Sequence, residues 1–308
     1  MGASVRIGSV TLPTPVMTAS GTAGHGAELA PYLDLAELGA VVVKSLAAYE
    51  WKGNPAPRVH PAGVGMINAV GLQGPGVEHW LAEDLPALAA TGARVVASIW
   101  GRSVEDYAAA AAQLAAAPAC VVAVEVNLSC PNLEGRRGIF AHDAGLSAEV
   151  IAATAGCGRP RWAKLSPNTD RVVEVAAAVR DAGAEAVTLI NTLLGMVLDP
   201  ATGLPVLGAG GGGYSGRAVH PVAVRTVYDV HAALPDLPII GTGGVASGWD
   251  AAELMLAGAT AVQVGTATFA DPKAPLTVLH ELLAWCAHRG LTPAGLTGLA
   301  HRGGLGGA

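Results

Sequence analysis

The sequence predicts an α/β protein that folds as a closed (β/α)8 TIM barrel with a short N-terminal β-hairpin. Eight short apolar runs alternate with longer amphipathic stretches along the 308 residues, which is the pattern of repeated strand and helix units. No G-x-G-x-x-G pattern follows the first run, so a doubly wound open sheet is the weaker alternative. We therefore expect one domain that covers residues 1–308.

The predicted elements follow in order along the chain. The segment "VRIGSVTLPTP" predicts the hairpin. Capping residues then mark three of the helical stretches: Ser103 begins "SVEDYAAAAAQLAA", Thr169 begins a stretch that closes with Gly183, and Ser247 begins "SGWDAAELMLAGA". The predicted strands occupy 15–20, 40–45, 94–100, 121–127, 161–166, 186–191, 237–242 and 261–266.

Composition restricts the class of ligand. Lysine and arginine total 18 against 24 acidic residues, a net charge of −6, so we expect no broad basic surface for nucleic acid. The longest apolar runs, 39–43 and 121–126, are far shorter than the ~20 residues of a membrane span, and no leader-like segment opens the chain. These features predict a soluble, cytoplasmic protein that binds a small molecule and neither nucleic acid nor a membrane.

The four cysteines are spaced too widely for a metal site. Cys120, Cys130, Cys157 and Cys286 form no C-x-x-C pair and no Cys/His pair, so we expect no metal and no iron–sulfur cluster in this chain. Three of them fit a packing role. Cys130 differs because it follows the apolar run "VVAVEV" inside the polar segment "NLSCPN", and a polar setting at a strand end favours a reactive thiol.

The ends of the predicted strands are unusually polar, and in a barrel these ends form the active-site mouth. The chain has only four lysines, and two of them, Lys44 and Lys164, end strands. One such lysine would equally fit a side chain that reaches solvent, but two at one mouth predict an anionic ligand. Polar or small residues also end the other strands: Ala19, Ser20, Gly21, Ser45, Ser98, Asn127, Ser166, Asn191, Thr192, Gly243, Gly244, Gly265 and Thr266.

Glycines end the last two strands. Gly243 and Gly244 precede the helix that begins at Ser247, and Gly265 with Thr266 ends the next strand. Either pair alone would fit an ordinary tight turn. Together they occupy the position where such barrels bind phosphate on backbone N–H groups. A lysine-containing mouth beside a phosphate site makes FMN a natural candidate cofactor.

These motifs resemble those of class 1 dihydroorotate dehydrogenases, and within them the NAD-linked class 1B, over nearly the whole chain. "KLSPN" and "NTLLGM" favour class 1B over the neighbouring class. The blocks that carry the resemblance are "ASGT" (19–22), "VKS" (43–45), "GNPAPR" (53–58), "MINAVGLQGPG" (66–76), "NLSCPN" (127–132), "KLSPN" (164–168), "NTLLGM" (191–196), "YSG" (214–216), "GTGGV" (241–245) and "VGTA" (264–267).

The resemblance implies a role for each site residue. Cys130 would be the general base for dihydroorotate, with Lys44 and Lys164 as further catalytic residues. The substrate would contact Lys44, Asn68, Asn127, Asn132, Asn191 and Thr192. FMN would contact Ala19, Gly21, Lys44, Ser45, Ser98, Asn127, Lys164, Ile190, Gly216, Gly243, Gly244, Gly265 and Thr266.

The resemblance also implies partners. A homodimeric core would work with an electron-transfer subunit that carries FAD and a 2Fe–2S cluster, because this chain has neither cluster-spaced cysteines nor a dinucleotide G-x-G-x-x-G motif after a strand. A soluble acceptor such as fumarate, which the neighbouring class uses, is the alternative. Segment 208–213, "GAGGGG", fits either a flexible lid or a linker, and we favour the linker; segment 131–145 is the better candidate for a lid.

One departure from the family pattern keeps other functions open. Ser98 and Trp100, in "ASIWG", stand where the family has an asparagine, and they resemble the flavin domains of dihydropyrimidine dehydrogenases. A flavoenzyme that acts on uracil or thymine is therefore one alternative. A barrel that binds a phosphorylated ligand without redox turnover is another.

Overall fold

The computed structural model describes residues 2–129, 131–132 and 138–306, and within these residues it has sixteen strands. In chain order the strands are β1 Val5–Ile7, β2 Val10–Leu12, β3 Val16–Thr18, β4 Val41–Val42, β5 Val59–Ala62, β6 Gly65–Asn68, β7 Val95–Ile99, β8 Val121–Asn127, β9 Pro131–Asn132, β10 Gly138–Ile139, β11 Arg161–Lys164, β12 Ala186–Leu189, β13 Leu193–Gly195, β14 Gly212–Gly216, β15 Ile239–Thr242 and β16 Ala261–Val264. Cys130 lies outside the described residues.

The α-helices follow the barrel strands. They are α1 Val77–His79, α2 Leu85–Ala90, α3 Val104–Leu114, α4 Ala144–Ala153, α5 Val172–Asp181, α6 His220–Ala233, α7 Gly248–Ala257, α8 Ala267–Ala270, α9 Ala274–His288 and α10 Pro293–Leu296. A π-helical turn, Trp80–Asp84, joins α1 to α2. Short 3-10 helices cover Leu35–Glu37, Phe140–His142, Thr154–Cys157, Arg217–Val219, Leu299–Arg302 and Gly304–Gly306. No helix in the described part of the chain is long and apolar enough to cross a membrane.

Eight parallel strands form the predicted barrel, in the order β3-β16-β15-β12-β11-β8-β7-β4. An isolated parallel bridge between Met17 and Ala40 closes the ring. All eight predicted strands are present, and several are shorter than predicted; the strand expected at 40–45, for example, is reduced to Val41–Val42. The fold prediction is therefore confirmed.

The predicted N-terminal hairpin is also confirmed. β1 and β2 pair antiparallel, with Val5 opposite Leu12. Strand alternation buries Val5, Ile7, Val10 and Leu12, and these side chains join one apolar cluster with barrel residues such as Met17, Val42 and Trp162. The hairpin therefore closes the end of the barrel opposite the mouth.

Two of the three predicted helix caps are present. The Ser103 side chain accepts a hydrogen bond from the Asp106 backbone N–H, and the Ser247 side chain accepts one from the Asp250 N–H. The prediction for Thr169 was wrong, because α5 begins three residues later at Val172. The Thr169 hydroxyl instead accepts from the Arg171 N–H, a local turn that competes with helix formation.

A second sheet of four antiparallel strands, in the order β13-β14-β6-β5, lies over the barrel mouth. We call it the mouth sheet. It was not predicted, and it corrects the interpretation of segment 208–213 as a linker, because Gly212 and Gly213 belong to β14 and Gly213 pairs with Asn68. Its strands β5 and β6 come from the loop after β4, and its strands β13 and β14 come from the loop after β12. The mouth sheet therefore covers the ends of the barrel strands.

The core lies mostly between the barrel and its helices. Cys157 and Cys286 are buried there, and Cys120 packs partly against it. These three positions agree with the predicted packing role.

Candidate active site

A cavity of about 420 Å³ opens between the barrel strand ends and the mouth sheet, a size in the range of roughly 300–1,000 Å³ that small-molecule sites occupy. Most of the predicted site residues line this cavity, although they are spread along the sequence from Ala19 to Thr266. Those that line it are Ala19, Gly21, Lys44, Ser45, Asn68, Asn127, Lys164, Ile190, Asn191, Thr192, Gly216, Gly243, Gly244, Gly265 and Thr266. Asn132 belongs to β9, but its side chain, like Cys130, lies outside the described structure.

Ser98 is the predicted residue that the structure places elsewhere. It is completely buried, and its hydroxyl lies 2.9 Å from the hydroxyl of Ser45, which does line the cavity. Ser45 also lies 3.1 Å from the Ser20 hydroxyl. Ser98 therefore supports the cavity wall from behind Ser45 and does not itself line the cavity.

The two predicted lysines both reach the cavity. Lys164 is buried, and its Nζ lies 3.9 Å from the carboxylate of Glu125. Lys44 lies near Gly21, since a Cβ added at that glycine would be 4.0 Å from Nζ. Burial and the Lys44 charge lower the pKa of the neighbouring His25, against the weaker opposite effects of Asp84 and Glu28. Two cations on one cavity floor favour an anionic ligand.

A network of amides holds the side chains on the substrate side. Asn127 Oδ1 accepts hydrogen bonds from the Asn191 side chain at 3.1 Å and from the Ser129 N–H at 3.2 Å. The Asn127 Nδ2 group donates to Ser45 at 3.3 Å. The Tyr107 hydroxyl fixes the backbone below by donating to the Asn127 carbonyl at 2.6 Å. The asparagines are thus oriented before any ring with donors and acceptors binds.

Asn168 was not predicted as a site residue, although it ends the motif "KLSPN". Its Nδ2 group donates to the Ser166 hydroxyl at 2.9 Å and to the Thr192 carbonyl at 3.0 Å, and its Oδ1 accepts from the Leu194 N–H at 2.9 Å. His142 Nε2 also lies 3.4 Å from the Ser166 hydroxyl, and burial lowers the pKa of His142. Asn168 therefore fixes the backbone that presents Thr192 to the cavity.

The opposite side of the cavity is made of backbone. Gly216, Gly243 and Gly244 have φ values of 105°, 123° and 73°, a region that other residues rarely adopt. A Cβ at Gly244 would lie 2.7 Å from the Cβ of His220, and a Cβ at Gly243 would lie 2.9 Å from the Cβ of Ala223. Only glycine lets the backbone pass this close to His220 and Ala223. The result is a stretch of cavity wall that consists of peptide groups.

Hydrogen bonds fix this glycine surface in place. His220 Nδ1 lies 2.9 Å from the Gly243 carbonyl and its Nε2 lies 3.1 Å from Glu253. Thr266 donates to the Ser215 hydroxyl at 2.8 Å. Peptide N–H groups near the start of α7, with hydroxyls beside them, can hold a phosphate.

Glu125 is the charged residue that sequence reasoning missed. It is fully buried inside the barrel and accepts hydrogen bonds from Thr188 at 2.9 Å and from Gln263 at 2.7 Å. The signal was present, since it is an acidic residue in the apolar run "VVAVEV". No group of three or more metal-ligating side chains occurs among the described residues.

Comparison with known proteins identifies the family. Residues 3–285 match the family model described as dihydroorotate dehydrogenase. The chain is 46% identical over 303 residues to dihydroorotate dehydrogenase B (NAD(+)), catalytic subunit, of Desulforudis audaxviator, covering 98% of both chains. It is 44% identical over 289 residues to the catalytic subunit of the same name from Trichlorobacter lovleyi, covering 94% of both. The chain therefore belongs to the dihydroorotate dehydrogenase family of oxidoreductases, in its class 1B branch.

Proposed function

We propose that this chain is the FMN-containing catalytic subunit of an NAD-linked dihydroorotate dehydrogenase, which oxidises dihydroorotate to orotate in pyrimidine biosynthesis. The observation that carries the proposal is one cavity with a glycine-built surface of peptide groups on one side and lysines with oriented amides on the other. A phosphorylated cofactor and a charged pyrimidine need these two kinds of surface.

The residues present fit FMN. The peptide groups of Gly243, Gly244 and Gly265, with Thr266, would hold the phosphate. They line the cavity, and the absence of a Cβ lets Gly243 and Gly244 pack directly against Ala223 and His220. Lys164 would lie at the N1/O2 edge of the ring system, where a cation favours the reduced form. FMN, when bound, supplies the acceptor for the hydride that leaves C6 of dihydroorotate.

The substrate would lie against the amide side of the cavity. Asn68, Asn127, Asn191 and Thr192 offer both donors and acceptors to the pyrimidine ring. Lys44 would pair with the carboxylate of the substrate. Dihydrouracil has no carboxylate, so a cation here supports dihydroorotate over the dihydropyrimidine alternative. The departure at Ser98 carries less weight against dihydroorotate, because that side chain lies behind Ser45.

Cys130 would take the proton from C5 of the substrate, a role that rests on the family resemblance. In the sequence it directly follows Ser129, three residues after Asn127, the last residue of β8. A free thiol titrates near ~8.5, so the thiolate would either be favoured by its surroundings or be formed as the proton moves. Pro131 would restrict the backbone of Cys130 and help to set the direction of the sulfur.

Anaerobic bleaching of the flavin tests this function. Dihydroorotate should bleach the purified yellow protein rapidly, and dihydrouracil should not. The Cys130→Ala variant should retain its flavin but bleach ~10²–10⁴-fold more slowly, since a positioned base contributes about that factor, and Cys130→Ser should retain more activity at high pH. A colourless protein that takes up no FMN, or faster bleaching by dihydrouracil, would contradict the proposal.

We further propose that electrons leave through a partner subunit that carries FAD and a 2Fe–2S cluster. The two relatives above are named as catalytic subunits of NAD-linked enzymes, and this chain has no G-x-G-x-x-G motif after its first strand. In stopped-flow experiments the isolated reduced chain should be oxidised rapidly by an artificial dye and hardly at all by NAD. Fast stoichiometric NADH formation by this chain alone would overturn the partner hypothesis.

A further inference from the structure

Glu125 lies in the layer of the barrel interior directly below the cavity. It is on β8, two residues before Asn127, and strand alternation therefore turns both side chains toward the barrel axis. On the neighbouring strand β11, Trp162 pairs with Glu125 and Lys164 pairs with Asn127. Lys164 thus starts one layer above Glu125, at the level of the cavity floor.

The hydrogen bonds of Glu125 leave one carboxylate oxygen facing the lysine. Oε2 accepts from Thr188 on β12 and from Gln263 on β16. Oε1 is buried and has no hydrogen-bond partner among the described residues, while Lys164 Nζ lies 3.9 Å from it. That separation is too long for a hydrogen bond, so the ammonium can still donate toward the cavity.

A buried ionised carboxylate is retained only where an opposite charge or several donors compensate it. Two neutral donors compensate Oε2, and the ammonium of Lys164 is the cation nearest to Oε1. We propose that Glu125 is a positioning residue for Lys164: its buried charge holds the ammonium at the cavity floor and offsets part of the positive field that Lys164 exerts on the flavin. The claim about the field on the flavin rests on the proposed function.

The charge pairing can be tested without any cofactor, by a double-mutant cycle on the flavin-free protein. Lys164→Gln should lower the melting temperature strongly, because it leaves the Glu125 carboxylate unpaired. Glu125→Gln in that background should restore part of the loss, because the amide keeps an acceptor for Thr188 and Gln263 and removes the charge. This rescue is the non-additivity that a direct pair predicts.

The control is Glu174→Gln, the same chemical change at an exposed carboxylate that pairs with Arg171 on the outer surface. Combined with Lys164→Gln it should give additive changes and no rescue. If Lys164→Gln alone does not fold, a folded double variant is the rescue in its strongest form. A double variant no more stable than Lys164→Gln would overturn the pairing.

The second test measures the midpoint potential of bound flavin by dye equilibration. Glu125→Gln should shift the potential to more positive values, because the lysine charge that stabilises reduced flavin is then no longer offset. Glu174→Gln should leave it unchanged. An unchanged or more negative potential in a folded, flavin-containing Glu125→Gln variant would overturn the claim that Glu125 offsets the field of Lys164, whereas the stability cycle decides the pairing. If the wild type bound no flavin, the proposed function would fail, yet the stability cycle would still decide whether Glu125 pairs with Lys164.

Discussion

The two sides of the cavity are built from different parts of the chain. On the amide side, Asn127 and Asn191 line the cavity with side chains that hydrogen bonds hold in place, and Lys44 lies beside them. On the glycine side, Gly243 and Gly244 have no side chain and present peptide groups instead. The comparison shows that the amide side depends on which side chain is present, whereas the glycine side depends on no side chain being present.

The largest effect should follow from adding a methyl group on the glycine side. Gly244→Ala places a Cβ 2.7 Å from the Cβ of His220 at a φ of 73°, and such strain costs roughly 1–3 kcal/mol. We expect FMN binding to weaken about tenfold or more, since each ~1.4 kcal/mol is a factor of ten. Flavin fluorescence during dialysis measures this loss.

Gly265→Ala is the matched control. Its φ is not positive, and its nearest neighbour would be the Cβ of Ala19 at 3.3 Å, a contact that a small shift relieves. Flavin retention should fall less than in Gly244→Ala. Equal losses in the two variants would mean that the glycine side does not act through its backbone conformation.

A smaller, more selective effect is expected on the amide side. Asn168→Ala removes hydrogen bonds to Ser166, Thr192 and Leu194, each worth about 0.5–1.5 kcal/mol. The backbone that carries Thr192 should then lose its fixed position, and the KM for dihydroorotate should rise about tenfold while flavin content stays constant. Steady-state kinetics with flavin quantification checks both values.

Thr169→Ala serves as the comparison variant, because within the described part of the chain that hydroxyl accepts a hydrogen bond only from the nearby Arg171 N–H, in an exposed turn. It should change neither KM nor flavin content. A loss of flavin in Asn168→Ala without a change in KM would contradict the division between the two sides.

The smallest effect should come from the wall behind the amide side. Ser98→Ala breaks the contact with Ser45 inside the barrel, so unfolding free energy should fall by about 1 kcal/mol. Substrate preference should not change, because Ser98 does not line the cavity. Chemical denaturation and the rates with dihydroorotate and dihydrouracil test this. A gain of dihydrouracil activity would show that the position does select the substrate.

The barrel could be predicted from sequence because its strands are local signals. Runs such as "VVAVEVN" are mostly apolar, rich in β-branched residues and end in a polar residue, and β8 begins and ends where that run does. The polar residues at strand ends could be placed together for the same reason, since one rule of the fold brings all eight ends to one mouth. Lys44, Lys164 and the glycines of the last strands line the cavity as that rule requires.

The mouth sheet could not be predicted because its signals are not local. β14, "GGYSG", contains three glycines and no β-branched residue, and glycine-rich segments ordinarily indicate loops. Its partner β6 lies far away in sequence, with Asn68 bonded to the Gly213 carbonyl 145 residues later. Glu125 was missed for another reason: one acidic residue in an apolar strand gives no sign of which donors other strands bring to it.

The ring of strands is closed by pairing between its earliest and latest members. Val16 on β3 pairs with Val262 on β16, whereas β3 and β4 share only an isolated bridge. During synthesis on a ribosome, β3 therefore cannot pair with β16, its principal partner, until almost the whole barrel has been synthesised. Until then the growing sheet exposes open edges, which favour aggregation. The high contact order of this closure predicts that a nascent chain halted before β16 depends on chaperones to stay soluble.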